Sequence, residues 1–404
     1  VHHKAAPYAA ERERFLTECA QRGYTLNYCK RLASTLLVVA YELHSHGGLP
    51  ASPEDIRAAA DRVQRLRSDL KRHGDAQAYY RKTFIRSATQ WLLSMDQLRV
   101  PTVRPRHFLG LLDDFAQWMA QERGLSERTI ASRRWFAGRF LSWAYDRHCR
   151  LATLDLRDID AFFQTLHAKG FSRVTIKIYA NGVRAFLRHA ERRAWCTVGL
   201  ANRLAGPRIY RHHELPVGPT WDEVKKLIED ADSEKPVDIR DRAIIMLFAV
   251  YGLRAGEVAK LQLEDIDWEH DRISVSRPKQ RRSQVYPLVP TVGQAIIRYL
   301  KEVRPRTSLR QVFLKLLAPV GPLAPTGLYQ IVATRLKRLG VKAPRYGPHS
   351  LRHACAGRLL AQGLSLKEIA DHLGHRSLDS TRVYAKVDLQ GLREVAAFDL
   401  GEVA

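Results

Sequence analysis

Apolar residues recur every three to four positions along the first half of the chain, which is the periodicity of amphipathic helices. Glycines at Gly47, Gly48 and Gly74 interrupt the pattern and are typical of turns between helices. The apolar segments between these breaks predict four helices, over 10–22, 26–44, 53–73 and 76–95. We therefore expect residues 1–100 to form a helical module.

A second helical block follows over residues 107–198. Pro101 and Pro105 separate it from the first block, because proline cannot continue a helix. Ser126 and Ser172 precede its second and fourth apolar segments and are expected N-caps. The apolar periodicity predicts four helices, over 108–123, 127–147, 158–168 and 174–193.

The two blocks resemble each other. The second helix of one follows Arg-Gly-Tyr-Thr at 22–25, and that of the other follows Arg-Gly-Leu-Ser at 123–126. The dipeptide Asp-Ile opens the third helix of both blocks, at 55–56 and 158–159. Similarity at a nearly constant offset of about a hundred residues indicates a duplicated module, although two amphipathic four-helix segments also share such features by chance. Residues 1–100 are thus expected to be an extra module related to the second block.

The pattern changes after residue 198. Prolines and glycines within 199–219 break helices and predict a linker. Beyond it, strand-like segments at 272–276 and 284–288 flank a basic turn. Helices are predicted over 241–251, 292–303, 326–339, 350–362 and 366–373. The expected fold is therefore mainly α, with a mixed α+β domain over 220–404 that contains a small antiparallel sheet.

The net charge of +24 indicates a polyanionic partner. Between Arg272 and Lys367, nineteen lysines and arginines stand against a single acid, Glu302. These cations lie among strand and turn signals and not on one amphipathic helix, so nucleic acid is favoured over an anionic membrane. The cations expected to contact the nucleic acid lie in the linker and the basic turn: Arg208, Arg211, Arg277, Arg281 and Arg282.

Several other classes of protein are disfavoured. No apolar run reaches membrane-spanning length, and the start of the chain lacks the apolar region of a signal peptide, so a cytoplasmic protein is expected. Five scattered cysteines without a Cys-x-x-Cys pair argue against a disulfide framework or a zinc knuckle. No Walker-type glycine loop is present, and we expect no cofactor.

The most informative residues for chemistry lie near the C-terminus. His349 and Arg352 are three residues apart at a predicted helix start, so they share one face. Tyr384 follows, and a tyrosine hydroxyl, with an ordinary pKa of ~10, becomes a nucleophile where cations favour its ionised form. A phenol beside imidazole and guanidinium groups is suited to attacking a phosphodiester without a metal.

Two upstream positions can add cations to this set. Arg254 lies just after a buried helix, and Glu257, three residues on, is placed to orient its guanidinium. Lys279 lies in the basic turn, from which an ammonium group can donate a proton to a leaving oxygen. Ordinary alternatives are a surface ion pair for Arg254 and a backbone-phosphate contact for Lys279.

Metal binding is the rival interpretation of the histidines. His349, His353, His372 and His375 are all potential ligands. However, Arg352 lies between the first two, and the glutamate that activates water in zinc protease helices is missing. Phosphate binding is therefore favoured, and no metal is expected.

With these residues in order, the chain resembles the tyrosine recombinases, the family of phage integrases and Xer-type recombinases. The resemblance covers about residues 107–395. Pro278 stands where glycines are commoner in the family's hairpin. The motifs that carry the resemblance are Arg254 in Arg-Ala-Gly-Glu, Lys279 in the hairpin, His349-x-x-Arg352, His375 after Leu-Gly, and Tyr384.

The resemblance implies a helical core-binding domain over 107–198 and a catalytic domain over 220–404. It further implies DNA cleavage by Tyr384 through a 3′-phosphotyrosyl bond, without metal or ATP. Arg254 and Arg352 would hold the scissile phosphate, and His375 would hydrogen-bond to it. Lys279 would be the general acid, and His349 would assist proton transfer from the tyrosine.

Assembly and function follow from the same resemblance. Four protomers would meet on two DNA sites, alone or beside related recombinases, with the tail 388–404 docked on a neighbouring protomer. Two alternatives stay open at this stage: DNA relaxation in the manner of a type IB topoisomerase, and a DNA-binding architectural protein whose catalytic site is idle.

Overall fold

The computed structural model describes residues 3, 5–68, 74–99, 108–208, 218–277, 282–374 and 381. Its Cα positions divide the chain into two compact units, one with Val1–Val100 and Glu214–Ala404 and the other with Pro101–His213. Among the described residues, no helix combines the length and the apolar character needed to span a bilayer.

The first hundred residues form four helices around a core of their own. Thr25 caps α2 by accepting a hydrogen bond from the Tyr28 amide. Leu36 of α2, Ile56 of α3, and Phe84 and Trp91 of α4 are fully or almost fully buried in this core. The helices are α1 (Ala9–Gln21), α2 (Leu26–Ser45), α3 (Pro53–Ser68) and α4 (Gly74–Ser94).

The second block also forms four helices around a separate core. Both predicted N-caps are confirmed, because the Ser126 and Ser172 hydroxyls accept hydrogen bonds from amides at the starts of α6 and α8. Phe115, Phe140 and Phe186 are fully buried in this core. The helices are α5 (Leu109–Gln121), α6 (Glu127–Asp146), α7 (Leu156–Ala168) and α8 (Arg173–Arg192).

The start of the predicted linker needs correction. A short helix, α9 (Leu200–Arg203), follows α8. Leu200, Ala201 and Leu204 are buried in the core of the second block. The helical block therefore extends past residue 198, where the linker was expected to begin. The prolines and glycines of this segment obscured the helical spacing of its apolar residues.

Three of the four helices match in length between the two helical blocks, whereas the third helices have 16 and 13 residues. Helices α1 and α5 both have 13 residues, and α2 and α6 both have 20. Buried positions also correspond: Leu36 and Val39 of α2 lie 101 residues before Ala137 and Phe140 of α6. The fourth helices have 21 and 20 residues.

The C-terminal part builds its core around one buried helix, α11. This helix starts at a proline in its first turn and ends at Gly252, which has the left-handed φ of 59°. It packs against α13 and α15 within the same apolar core. The helices here are α10 (Trp221–Asp230), α11 (Pro236–Tyr251), α12 (Ala255–Val258), α13 (Pro290–Glu302), α14 (Pro325–Arg338), α15 (Pro348–Ala361) and α16 (Leu366–Leu373).

A three-stranded antiparallel sheet lies beside this core, with strands β1 (Ile266–Asp267), β2 (Arg272–Arg277) and β3 (Arg282–Pro287) in that order. Strands β2 and β3 pair from Arg272 with Pro287 to Arg277 with Arg282. Ile273, Val275 and Arg277 are the buried positions of β2, as strand alternation requires. The predicted fold class, mainly α with one small antiparallel sheet, is confirmed.

Candidate active site

Arg254 is positioned by the turn that ends α11. It is the N-cap residue of α12, and its amide and its guanidinium Nη1 both donate to the carboxylate of Glu257, at 2.8 and 2.7 Å. Glu257 is only 8% exposed, whereas 43% of the Arg254 side chain is accessible. The carboxylate thus fixes a guanidinium whose remaining surface faces outward, as the three-residue spacing predicts.

Arg352 lies on α15 and is 2% exposed. Its two terminal nitrogens donate to the carbonyl oxygens of Gly252, at 2.6 Å, and Leu373, at 2.7 Å. Arg254 donates to the next carbonyl along, that of Gly374, at 3.1 Å. Two arginines that are 98 residues apart in sequence therefore hold the same turn at the end of α16.

A cleft of about 530 Å³ brings His349 together with both arginines. His349 lies in the first turn of α15 and is exposed toward the cleft. Desolvation lowers the pKa of His349, and the charges of Arg352, Arg345 and Arg254 lower it further. The imidazole is therefore neutral near pH 7 and can accept a proton. The other walls are formed by Leu253, Ala255, Pro325, Tyr329, Pro344, Tyr346, Gly347 and Pro348.

His353 packs behind His349, with ring centroids 4.5 Å apart in an edge-to-face arrangement. Burial, and then the neighbouring His349 and Arg352, lower the pKa of His353 to about 4. Among the described residues, no group of three or more His, Cys, Asp or Glu side chains is arranged to hold a metal ion.

Arg277 was grouped with the residues expected to contact DNA, and the structure corrects this assignment. Its side chain is 1% exposed because the last residue of β2 falls on the buried face of the strand. The guanidinium donates to the hydroxyl of Tyr286, and its Nε lies 3.7 Å from the Glu257 carboxylate. The alternation of Ile273, Val275 and Arg277 in the sequence was the signal that this arginine points inward.

Two side chains of β3 contact the end of α16, and no motif in the sequence indicated their roles. Tyr286 donates its hydroxyl hydrogen to the carbonyl oxygen of His372. Gln284 donates to the carbonyl oxygens of Asp371, at 2.8 Å, and His372, at 3.2 Å. Burial raises the pKa of Tyr286 to about 12, so its hydroxyl keeps its proton.

Several predicted site residues lie outside the described residues, together with the predicted tail 388–404. Arg282 begins β3, and Arg208 is exposed. The structure therefore brings together Arg254, Glu257, His349 and Arg352, and it places Arg277 beneath them. The residues outside the described ranges are Lys279, His375, Tyr384, Arg211 and Arg281.

Some of the arginines between Arg272 and Lys367 form ion pairs with acidic residues of the same domain. Arg335 is 5% exposed and ion-pairs with three aspartates of α10 and α11, at distances of 2.5–3.0 Å. Arg298 and Arg310 also pair with glutamates, so the excess of cations available to DNA is smaller than the count along the chain suggests. The aspartates that surround Arg335 are Asp230, Asp238 and Asp241.

Comparison with protein families gives two matches. Residues 220–390 match the phage integrase family, and residues 112–194 match the SAM-like N-terminal domain of phage integrases. The first range contains Arg254, Lys279, His349, Arg352 and Tyr384.

Individual relatives extend over more of the chain. The integrase/recombinase y4rA of Sinorhizobium fredii is 36% identical over 345 residues, which span 84% of this chain and 81% of the relative. Tyrosine recombinase XerA of Pyrococcus furiosus is 30% identical over 296 residues, or 70% of this chain and 92% of the relative. The crystal structure of XerH site-specific recombinase bound to palindromic difH DNA shares the fold, with a TM-score of 0.58 at 20% identity, over 71% of this chain and 84% of XerH.

Proposed function

Since the chain belongs to the phage integrase family of tyrosine recombinases, we propose that it cleaves and rejoins DNA through a covalent bond to Tyr384. The observation that supports this proposal is the clustering of Arg254 and Arg352 with His349 at one cleft. Two guanidinium groups fixed by backbone and carboxylate contacts form a preorganised site for one phosphate. A neutral imidazole beside them provides a proton acceptor.

The chemical step is a transesterification. The phenolic oxygen of Tyr384 forms a bond to phosphorus as the bond from phosphorus to the 5′ oxygen breaks. The phenolic proton passes to His349, and Lys279 gives a proton to the departing 5′ oxygen. The products are a 3′-phosphotyrosyl bond and a free 5′-hydroxyl, and attack by another 5′-hydroxyl reverses the step. Because one phosphoester replaces another, neither ATP nor a cofactor takes part.

The two arginines stabilise the transition state. Negative charge grows on the non-bridging oxygens as the pentavalent transition state forms, and Arg254 and Arg352 neutralise it. His375, the residue that follows the clamped turn at Gly374, hydrogen-bonds to the same phosphate. Glu257 takes part by holding Arg254 in place.

Double-stranded DNA is the proposed substrate, bound by the second helical block and the catalytic domain. Four protomers would assemble on two sites in the cytoplasm, alone or with related recombinases, and the tail 388–404 would dock on a neighbouring protomer. Deletion of the tail is expected to abolish pairing of two sites while single-site binding persists. Native gel electrophoresis with one and two labelled duplexes distinguishes these states, and unchanged pairing would contradict the tail's role.

The matching helix lengths, caps and buried positions also support a duplication of the helical block. The charged positions differ between the blocks: the half-buried Arg133 of α6 corresponds to the buried Leu32 of α2 at the offset of 101 residues. We therefore expect Arg133→Glu to weaken DNA binding more than Lys30→Glu in α2 does. Fluorescence anisotropy on the full chain measures both affinities.

A nicked suicide duplex tests the proposed chemistry directly. The short strand beyond the nick diffuses away after cleavage, so the covalent protein–DNA adduct accumulates and is seen on a denaturing gel. Wild type is expected to form the adduct, and Tyr384→Phe to form none. Adduct formation by Tyr384→Phe would contradict the proposal. Products that join two different duplexes indicate recombination, whereas relaxation of a separate supercoiled plasmid without joined products indicates topoisomerase activity.

A further inference from the structure

A bridge made of one ion pair and two hydrogen bonds connects buried side chains of the C-terminal domain. It starts with the ion pair between Glu257 and Arg277 on β2, continues with the hydrogen bond from Arg277 to the hydroxyl of Tyr286 on β3, and ends with the hydrogen bond from that hydroxyl to the carbonyl oxygen of His372 in α16. Glu257, Arg277 and Tyr286 are 8%, 2% and 4% exposed. The bridge therefore joins the support of Arg254 to the sheet and to the last turn of α16.

The bridge is tightly fitted at its far end. Gly374, which ends α16, has a φ of 61°, and a Cβ there would lie 0.9 Å from Nη1 of Arg277. Arg277 thus packs directly on the backbone of the turn that Arg254 and Arg352 hold from the other side. A buried arginine is tolerated only where it is paired and hydrogen-bonded, and Glu257 and Tyr286 meet that need.

The two ends of the bridge are next to two residues of the proposed chemistry. Lys279 is two residues beyond Arg277 in the turn between β2 and β3, and His375 directly follows Gly374. We propose that Arg277 and Tyr286 are positioning residues, which fix the end of β2, two residues before Lys279, relative to the end of α16, which directly precedes His375. One shared set of contacts thus holds the two points of the backbone from which the general acid and the phosphate ligand follow.

The inference rests on the proposed function, because it assigns Lys279 to protonation of the leaving 5′ oxygen. A general acid must be within hydrogen-bond reach of its oxygen, and a displacement of about 1 Å costs up to ~100-fold in rate. Loss of the Tyr286 hydroxyl frees Arg277 and the His372 carbonyl from each other. We therefore expect Tyr286→Phe to slow cleavage by roughly 10- to 100-fold.

The test measures single-turnover cleavage of suicide duplexes with either oxygen or sulfur at the bridging 5′ position. A thiolate leaves without being protonated, so the sulfur substrate does not need the general acid. Tyr299→Phe is the matched control, because Tyr299 is also fully buried in this domain and its hydroxyl accepts from the Leu314 amide, away from the cleft. Lys279→Ala is the reference for complete loss of the acid.

Tyr286→Phe is expected to slow the oxygen substrate strongly and the sulfur substrate by less than about 3-fold, with Tyr299→Phe close to wild type on both. Equal slowing of both substrates, or no slowing beyond that of Tyr299→Phe, overturns the inference. If wild type forms no adduct, or if sulfur does not rescue Lys279→Ala, the proposed function or the role of Lys279 fails instead. Circular dichroism and thermal melts establish that each variant is folded.

A double-mutant cycle gives a second, independent test. If Arg277 and Tyr286 act as one unit, then Arg277→Gln with Tyr286→Phe slows the oxygen substrate no more than the slower single variant. Multiplied rate losses show that the two residues act separately and contradict the inference. Should Arg277→Gln fail to fold, Gln284→Ala replaces it, because Gln284 binds the same end of α16 from β3.

Discussion

The guanidinium of Arg277 occupies the space that a side chain at Gly374 would need, with Nη1 0.9 Å from the position of a Cβ. Gly374→Ala therefore requires Arg277 to move, and it also places a Cβ in the left-handed region. We expect this variant to lose about 2–4 kcal/mol of unfolding free energy, measured by urea denaturation, and to cleave DNA slowly.

Gly340→Ala separates the two effects. Gly340 has a similar φ of 69°, but a Cβ there meets nothing within 4 Å. It is expected to lose only the ~1 kcal/mol of backbone strain and to keep full cleavage activity. Equal losses for the two glycines would show that contact with Arg277 is unimportant.

Removal of a phosphate-binding arginine should affect the rate of chemistry more than DNA affinity. Arg254→Ala is expected to slow adduct formation by roughly 100- to 1000-fold, because the lost charge acts mainly in the transition state. Arg254→Lys keeps the positive charge but loses the planar guanidinium that Glu257 holds, so an intermediate rate is expected. Single-turnover kinetics and anisotropy measure the two properties, and Arg242→Ala, which removes an ion pair to Asp232, is the control.

The lowered pKa of His349 predicts the pH below which the cleavage rate falls, which is the acidic limb of the plot of rate against pH. The imidazole accepts a proton only when neutral, which holds at pH values above its pKa, and that pKa lies below the ordinary 6.5. Cleavage should therefore persist below pH 6.5 and fall only at more acidic pH.

Arg345→Ala removes one of the charges that depress this pKa, so the acidic limb should move to higher pH. Lys342→Ala, at a nearby exposed lysine, should leave the limb in place. Adduct formation measured from pH 5 to 8 gives the position of each limb. An identical shift in both variants would contradict the assignment.

The buried cluster around Arg335 predicts a large effect on stability. Arg335→Met leaves three aspartates of α10 and α11 without their shared cation, at a cost of about 3–5 kcal/mol. Arg310→Met breaks an exposed pair with Glu264 and should cost less than about 1 kcal/mol. Urea denaturation of both variants measures the difference, and comparable losses would show that burial is unimportant here.

Local signals in the sequence were sufficient for most of the helices and for the caps of α6 and α8, although α9, α10 and α12 were not predicted. Ser126 and Ser172 were identifiable because an N-cap depends on amides only a few residues away. Arg254 and Glu257 were predictable for the same reason, since their contact spans three residues. The alternation of buried and exposed positions along β2 also predicts that Arg277 is buried. The residue was instead assigned to the DNA contacts because the neighbouring turn is basic.

Contacts between distant segments were not accessible in this way. The aspartates that bind Arg335 are 94–105 residues away in sequence, so counting charges along the chain overestimated the free cations. Tyr286 meets His372 across 86 residues, and nothing near either residue indicates their contact. Such pairs form only when helices and strands that are distant in sequence pack together. Short sequence patterns therefore do not predict them.

The position of the clamped turn at Gly374 also limits how far away Tyr384 can lie. Arg254 and Arg352 hold its backbone, and Tyr384 is ten residues further along the chain. Ten residues span at most about 33–36 Å when fully extended, so chain length alone keeps the Cα of Tyr384 within that distance of Gly374. Any phosphate that Tyr384 attacks, on DNA bound to its own protomer or to a neighbour, must lie within that distance plus the length of the tyrosine side chain.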